Sequence, residues 1–210
     1  MDELIQKIAI YALPVILAIT LHEAAHAYVA KRFGDATAYM LGRMTLNPIK
    51  HIDPLGTIAL PLLGMIMGGF IFGWAKPVPV NFGNLKPVRR GMRWVAAAGP
   101  LSNFAQAVLW VLLFKLAIST DTPYSEPLLL MSQAGININV VLMVLNLMPL
   151  LPLDGGRIVE SFLPPGMAYK YSRIEPYGMW ILLALVFTGL LSPILRPFMN
   201  IVYDLLRLIL

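Results

Sequence analysis

The 210-residue sequence contains no cysteine. Neither a disulfide framework nor a thiolate metal site is therefore available to it. Histidine is almost as scarce: only His22, His26 and His51 occur, so any metal must be held by imidazole and carboxylate. Charge is scarce as well. Charged residues make up 13% and hydrophobic residues 58%, against about 25% and roughly 45–50% in ordinary soluble domains. A water-soluble fold needs more charge than this to cover its surface, so the composition describes an integral membrane protein. The formal charge of +5 is then explained first by basic loops on one side of a bilayer, and nucleic acid is not expected as a partner. The N-terminal Met1-Asp2-Glu3-Leu4 lacks a basic n-region and a small-residue cleavage site. The first apolar segment is accordingly expected to be a permanent helix.

What the sequence does have is a succession of apolar segments, with no internal repeat and no low-complexity tract. Residues 4–30 follow a helical pattern that ends in Lys31-Arg32-Phe33-Gly34, with cations in the last turn and a glycine stop. Residues 94–118 and 128–150 each supply the roughly 20 apolar residues that a spanning helix needs. Residues 55–74 are apolar but interrupted by Pro61, Gly64, Gly68 and Gly69. Residues 177–191 are apolar and short, and 194–210, with Arg196, Asp204 and Arg207, either span or lie in the interface. Residues 36–53 partly alternate apolar and polar, which predicts a β-hairpin turning at Gly42-Arg43. A strand there could pair with an unwound substrate. Residues 75–93, with Pro77, Pro79 and Pro87, are expected to be extended and exposed. The fold class that follows is an all-α membrane protein. It is a polytopic transmembrane helix bundle with a short membrane-associated β-hairpin and a re-entrant or folded-back segment. It forms one domain over 1–210, with a core near 15–160 and C-terminal helices over 175–210.

Chemistry concentrates in His22-Glu23-Ala24-Ala25-His26. Two histidines four residues apart lie on one face of a helix, one turn from each other. Their imidazoles can grip one small cation, and the Glu between them stands beside it as a general base; this is the mechanics of HExxH. Ionisable groups in so apolar a segment are costly unless they are paired or hold a metal. A catalytic zinc usually has three protein ligands and one open position. His51 has no ligand spacing to His22; with Asp53 it is expected to brace its loop or gate the site. Asp154, in Asn146-Leu-Met-Pro-Leu-Leu-Pro-Leu-Asp154-Gly-Gly-Arg157, directly follows an apolar helix that Pro149 and Pro152 break. Gly155 and Gly156 allow the chain to come close to a metal. Glu160 and Glu175 remain alternatives for the third ligand, with Glu160 the one to test against Asp154.

These elements resemble the site-2 protease family of intramembrane metalloproteases. The resemblance is carried by HExxH in an apolar helix (His22, Glu23, His26), by Gly99-Pro100-Leu101-Ser102-Asn103, and by the stretch Asn146 to Gly156. It covers about residues 15–160. The runs 46–54 and 73–81 are similar to the compact prokaryotic branch, and no segment reads as a PDZ or CBS domain. The resemblance implies one Zn2+ per chain held by His22, His26 and Asp154, with Glu23 as base and Asn146 near the site, a candidate donor to the oxyanion. Asn103 and Gly99 are expected to pack helices closely. The implied function is hydrolysis of peptide bonds within or near transmembrane segments of membrane-anchored substrates. A transporter, or a zinc-binding membrane protein without catalysis, is the reading from another class.

Topology can be tested against the ligands. His26 and Asp154 must meet at one ion, so the chain between them should cross the membrane an even number of times. That requires one of the three intervening apolar segments to fold back, and 55–74 is the broken one. With 55–74 folded back, Lys31, Arg32, Arg43, Lys50, Lys76, Lys86, Arg89, Arg90, Arg93, Arg157, Lys170 and Arg173 share one side, 12 of the 16 Lys and Arg. The positive-inside rule makes that side cytoplasmic. The expected location is a prokaryotic cell membrane, multi-pass, with the active site toward the cytoplasm.

Overall fold

The computed structural model describes residues 2–59, 75–120 and 122–210. Helix α1 (Asp2–Arg32) carries the HExxH segment and ends with Lys31 and Arg32 in its last turn. At 1.5 Å per residue its 31 residues run for about 46 Å, longer than a bilayer's roughly 30 Å hydrocarbon core. A short helix α2 (Thr37–Met40) follows. Beyond it come a 3-10 turn at Pro48–Lys50 and a π turn at Pro54–Ala59. Helices α3 (Val88–Ser119) and α4 (Ser125–Asn146) are joined by a short connection, which makes them antiparallel neighbours. Then come α5 (Asp154–Phe162), α6 (Pro165–Ser172), α7 (Glu175–Phe187) and α8 (Leu191–Arg207).

Helices α1, α3 and α4 are each long and apolar enough to cross a membrane, and α7 with α8 form a pair bent by 91° that passes the same test together. The sequence placed these apolar runs correctly. It left open whether 194–210 spans, and the bend at residues 188–190 separates that stretch from α7. Large apolar side chains face outward, among them Ile5, Ile8 and Leu13 on α1, Leu109 and Leu116 on α3, and Trp180 and Phe187 on α7. Lipid is the solvent such a surface requires.

The main core is formed where α3 and α4 receive α7 and α8, through Ala107, Val111, Val140, Val144, Leu182, Leu195 and Val202. Two smaller clusters matter more for the site. Ala27, Ala38 and Val78 pack together, and so do Ala30, Leu85 and Val95 with Phe33 and Phe82 around them. They hold the extended segment 75–81 against the C-terminal half of α1.

The expected hairpin over 36–53 is not formed, and no strand occurs among the described residues. Short polar side chains have taken the backbone donors that a ladder would need. Asp35 Oδ1 accepts the N–H and hydroxyl of Thr37 at 3.2 and 2.5 Å, just ahead of α2. Asn47 Oδ1 accepts the Ile49 N–H at 3.1 Å, capping the 3-10 turn. Such local bonds compete directly with sheet pairing, and weak alternation could not outweigh them. The expected fold-back of 55–74 lies outside the described residues from 60 onward. The expectation that 75–93 is extended holds for 75–81, whereas Val88 already begins α3.

Candidate metal centre

The i, i+4 spacing on α1 brings the Nε2 atoms of His22 and His26 to 3.0 Å from each other. Asp154, the first residue of α5, completes a triangle: its Oδ2 lies 3.3 Å from His22 Nε2 and 3.4 Å from His26 Nε2. The sequence places Asp154 there through the broken stretch after α4, which turns back into the N-terminus of α5. That helix end favours a carboxylate.

The second nitrogen of each imidazole fixes what the first can do. His26 Nδ1 bonds the Val95 carbonyl at 2.7 Å, and a carbonyl only accepts, so Nδ1 carries the hydrogen. His22 Nδ1 bonds Asn103 Oδ1 at 2.6 Å. The Asn103 amide is oriented by its own donors, Nδ2 giving bonds to the Ala18 carbonyl at 3.2 Å and to Asn139 Oδ1 at 2.9 Å. With Nδ1 of each ring engaged in this way, Nε2 is the nitrogen that each turns toward Asp154. Outer hydrogen bonds of this kind orient metal-binding imidazoles. Pro100, inside α3, supplies no N–H to the Ala96 carbonyl four residues before it, next to the Val95 carbonyl that His26 uses.

The residues fit a metal on three counts. Asp154 Oδ2 is buried with no hydrogen-bond partner among the described residues. Three potential ligand atoms, two imidazole nitrogens and a carboxylate oxygen, face one another, an arrangement that a cation between them would satisfy. Their separations of 3.0–3.4 Å match the roughly 3.3 Å between tetrahedral ligands placed about 2.0 Å from zinc. Gly99 makes room for the rings: a Cβ there would run into Nε2 of both His26 and His22.

Around this cluster lies a cavity of about 270 Å³, lined by Glu23, Asn146, Asp154 and Arg157 and walled by Pro77, Val78, Val80 and Phe82. Glu23 Oε2 accepts the Val78 N–H at 2.6 Å. Asn146 Nδ2 bonds the Leu142 carbonyl at 2.9 Å, which leaves a second amide hydrogen for the cavity. The sequence-predicted residues His22, Glu23, His26, Asn146 and Asp154 are thus brought together. Glu160 is not: it pairs with Arg157 at 3.0 Å, and Glu175 pairs with the same guanidinium. His51 is buried away from the cluster. Its Nε2 bonds the Thr45 carbonyl at 2.9 Å, and Asp53 Oδ1 takes the N–H groups of Leu55 and Gly56 at 3.0 and 2.7 Å. That is the bracing role.

Two contacts escaped the sequence. Asn103, expected to pack helices, holds His22; a polar amide within an apolar helical run was the available signal. Val78 was not singled out, since its contribution is a backbone N–H that any residue but proline supplies.

No protein-family model matches the chain, and no solved structure matches it. Curated relatives do. "Putative zinc metalloprotease YwhC" of Bacillus subtilis is 43% identical over 190 residues, covering 89% of this chain and 84% of the relative. "Putative zinc metalloprotease Rip2" of Mycolicibacterium smegmatis is 31% identical over 193 residues, covering 90% and 69%. The protein of that name from Mycobacterium tuberculosis H37Rv is 30% identical over 198 residues, covering 92% and 71%. With zinc implied by these names and a three-ligand site in place for it, the chain belongs to the zinc metalloprotease family that YwhC and Rip2 represent.

Proposed function

We propose that the protein is an intramembrane zinc endopeptidase of the site-2 protease type, cutting membrane-anchored substrates within or near their transmembrane segments. The observation that carries this is the meeting of His22 Nε2 and His26 Nε2, on a helix apolar enough to span a bilayer, with Asp154 Oδ2 at separations of 3.0–3.4 Å. Lys31, at the helix end, lies nine positions after His22, about 14 Å at 1.5 Å per step, close to half of a roughly 30 Å core. A metal centre at that depth meets peptide bonds that soluble proteases never reach.

Zinc, when bound by His22, His26 and Asp154, supplies Lewis-acid polarisation of the scissile carbonyl and makes water a nucleophile near neutral pH. Glu23 takes a proton from the attacking water and delivers it to the leaving amine. Asn146 donates its free amide hydrogen to the oxyanion that develops on the former carbonyl. Asn103 and the Val95 carbonyl keep both imidazoles in the tautomer that leaves Nε2 free. A transmembrane substrate has its peptide bonds hydrogen-bonded within its own helix, so it must unwind locally before it enters the cavity. The concentration of Lys and Arg on the side that bears Lys31 and Arg32 supports an opening toward the cytoplasm, in the cell membrane of a bacterium.

The test is membrane proteomics of cells carrying the wild-type chain or Glu23→Gln. Full-length or pre-trimmed membrane-anchored proteins should accumulate only with Glu23→Gln, and their shortened products only with wild type. Indistinguishable membrane proteomes, with zinc bound equally by both chains, would refute the proteolytic reading and favour a zinc-binding or transport role.

A further inference from the structure

We propose that the extended segment Lys76–Asn81 is a strap that positions the Glu23 carboxylate through the Val78 N–H, with Asp35 and Arg43 as positioning residues that hold the strap. The proposal rests on the reading of Glu23 as the general base.

The contact itself is short and singular. Val78 N–H reaches Glu23 Oε2 at 2.6 Å, across 55 residues of chain. No other hydrogen bond to this carboxylate occurs among the described residues. Prolines at 77 and 79 leave Val78 the one N–H donor in that stretch, and they keep its backbone extended. A glutamate has three side-chain torsions, and one charge-assisted bond to a fixed donor removes most of that freedom. Oε1 is left to exchange protons in the cavity.

A donor positions only as well as it is itself held, and the strap is anchored along its length. At its start the Lys76 N–H bonds the His51 carbonyl at 3.0 Å. Arg43 Nη2 donates to the Lys76 and Pro77 carbonyls at 3.0 and 3.3 Å. The Val78 side chain is buried against Ala27, one turn beyond Glu23 on α1, and against Ala38 of α2. At the far end the Asn81 N–H bonds Asp35 Oδ2 at 2.7 Å, and Asn84 Nδ2 bonds Asp35 Oδ1 at 3.1 Å. Asp35 is 1% exposed and sits three residues past α1, so it ties the strap to the helix that bears Glu23. Base and donor are thereby fixed in one frame.

The experiment uses the purified full chain in detergent and a fluorogenic transmembrane peptide chosen because wild type cleaves it. Val78→Pro deletes the one N–H. It should lower kcat about 10–100-fold, the cost of a base misplaced by an ångström or so. KM should stay within about twofold and zinc at one per chain. Arg43→Ala should lower kcat about 3–10-fold, and Arg43→Lys, which keeps a donor, should recover at least half of that loss. Wild-type kcat in both Val78→Pro and Arg43→Ala would overturn the proposal. So would a rise in kcat, which would make the strap an inhibitor, or loss of zinc in parallel with activity, which would make it a support of the metal site. Should Val78→Pro not fold, the Arg43 pair decides alone. Glu23→Gln separates the two readings: if it cleaves the peptide at the wild-type rate with zinc bound, the assignment of the base has failed, whatever the strap does.

Discussion

Replacing Asn103 with alanine should weaken zinc binding without dissolving the bundle. Asn103 is fully buried and makes three bonds: it accepts from His22 Nδ1 at 2.6 Å and donates to the Ala18 carbonyl at 3.2 Å and to Asn139 Oδ1 at 2.9 Å. The Ala18 carbonyl keeps its place in the α1 ladder. The Asn139 amide keeps its bond to the Gly135 carbonyl. The uncompensated losses fall on the His22 N–H and on Asn139 Oδ1, a buried donor and a buried acceptor with no other hydrogen bond in the described structure. Leaving such a group unpaired costs about 1–3 kcal/mol, although interhelical bonds in membranes average nearer about 0.6 kcal/mol. The metal feels it more directly, because His22 can now rotate or shift its proton to Nε2. Removing a partner of this kind typically costs 10–100-fold in affinity, about 1.4–2.8 kcal/mol. Competition for zinc against a chromophoric chelator in detergent would read this shift, and thermal unfolding would read the smaller loss of stability. Asn103→Asp retains an acceptor for His22 and should bind zinc more tightly than Asn103→Ala. Zinc affinity within about twofold of wild type in Asn103→Ala would refute the argument that this amide sets the imidazole.

Other outcomes follow from the same geometry. Gly99→Ala drives a methyl group into the Nε2 edges of both histidines and should abolish stoichiometric zinc binding, measured by metal analysis, because overpacking here displaces the ligands themselves. Asp154→Ala should lose zinc, whereas Glu160→Ala, which only frees Arg157 from one partner, should keep it. Burial pushes the Asp35 carboxyl up, but bonds from Thr37, Asn84 and Asn81 outweigh that and hold it below its ordinary range. A depressed folded pKa means the stabilisation is present above the usual value of about 3.9 and fades as pH falls through the folded value. Stability scanned from pH 6 downward should therefore decline below about pH 4 in wild type, and less steeply in Asp35→Asn.

How much of this was legible in the sequence depended on the kind of signal. Helices α1, α3 and α4 were plain because a span needs a long apolar run and nothing else in the chain imitates one. His22, Glu23 and His26 were plain because charge in such a run demands a purpose. Asp154 could be found from the prolines and glycines around it, which mark backbone leaving a helix near a cavity. The 36–53 hairpin does not form because Asp35 and Asn47 take the nearest N–H groups, a competition that alternation of apolar and polar residues does not reveal. The Val78 contact was beyond reach, since two prolines mark an extended chain but not what lies across from it.

The spacing of the ligands along the chain has a consequence for biogenesis. His26 and Asp154 meet across the site, yet 154 − 26 = 128 residues must be added after His26 before Asp154 is in the chain. At about 5–20 residues per second this is roughly 6–26 s in which α1 exists with half a binding site. Throughout that interval the nascent protein cannot hold its metal as the finished one does. A metalloprotease whose ligands lie so far apart in the chain thus lacks its complete metal site until most of that chain has been made.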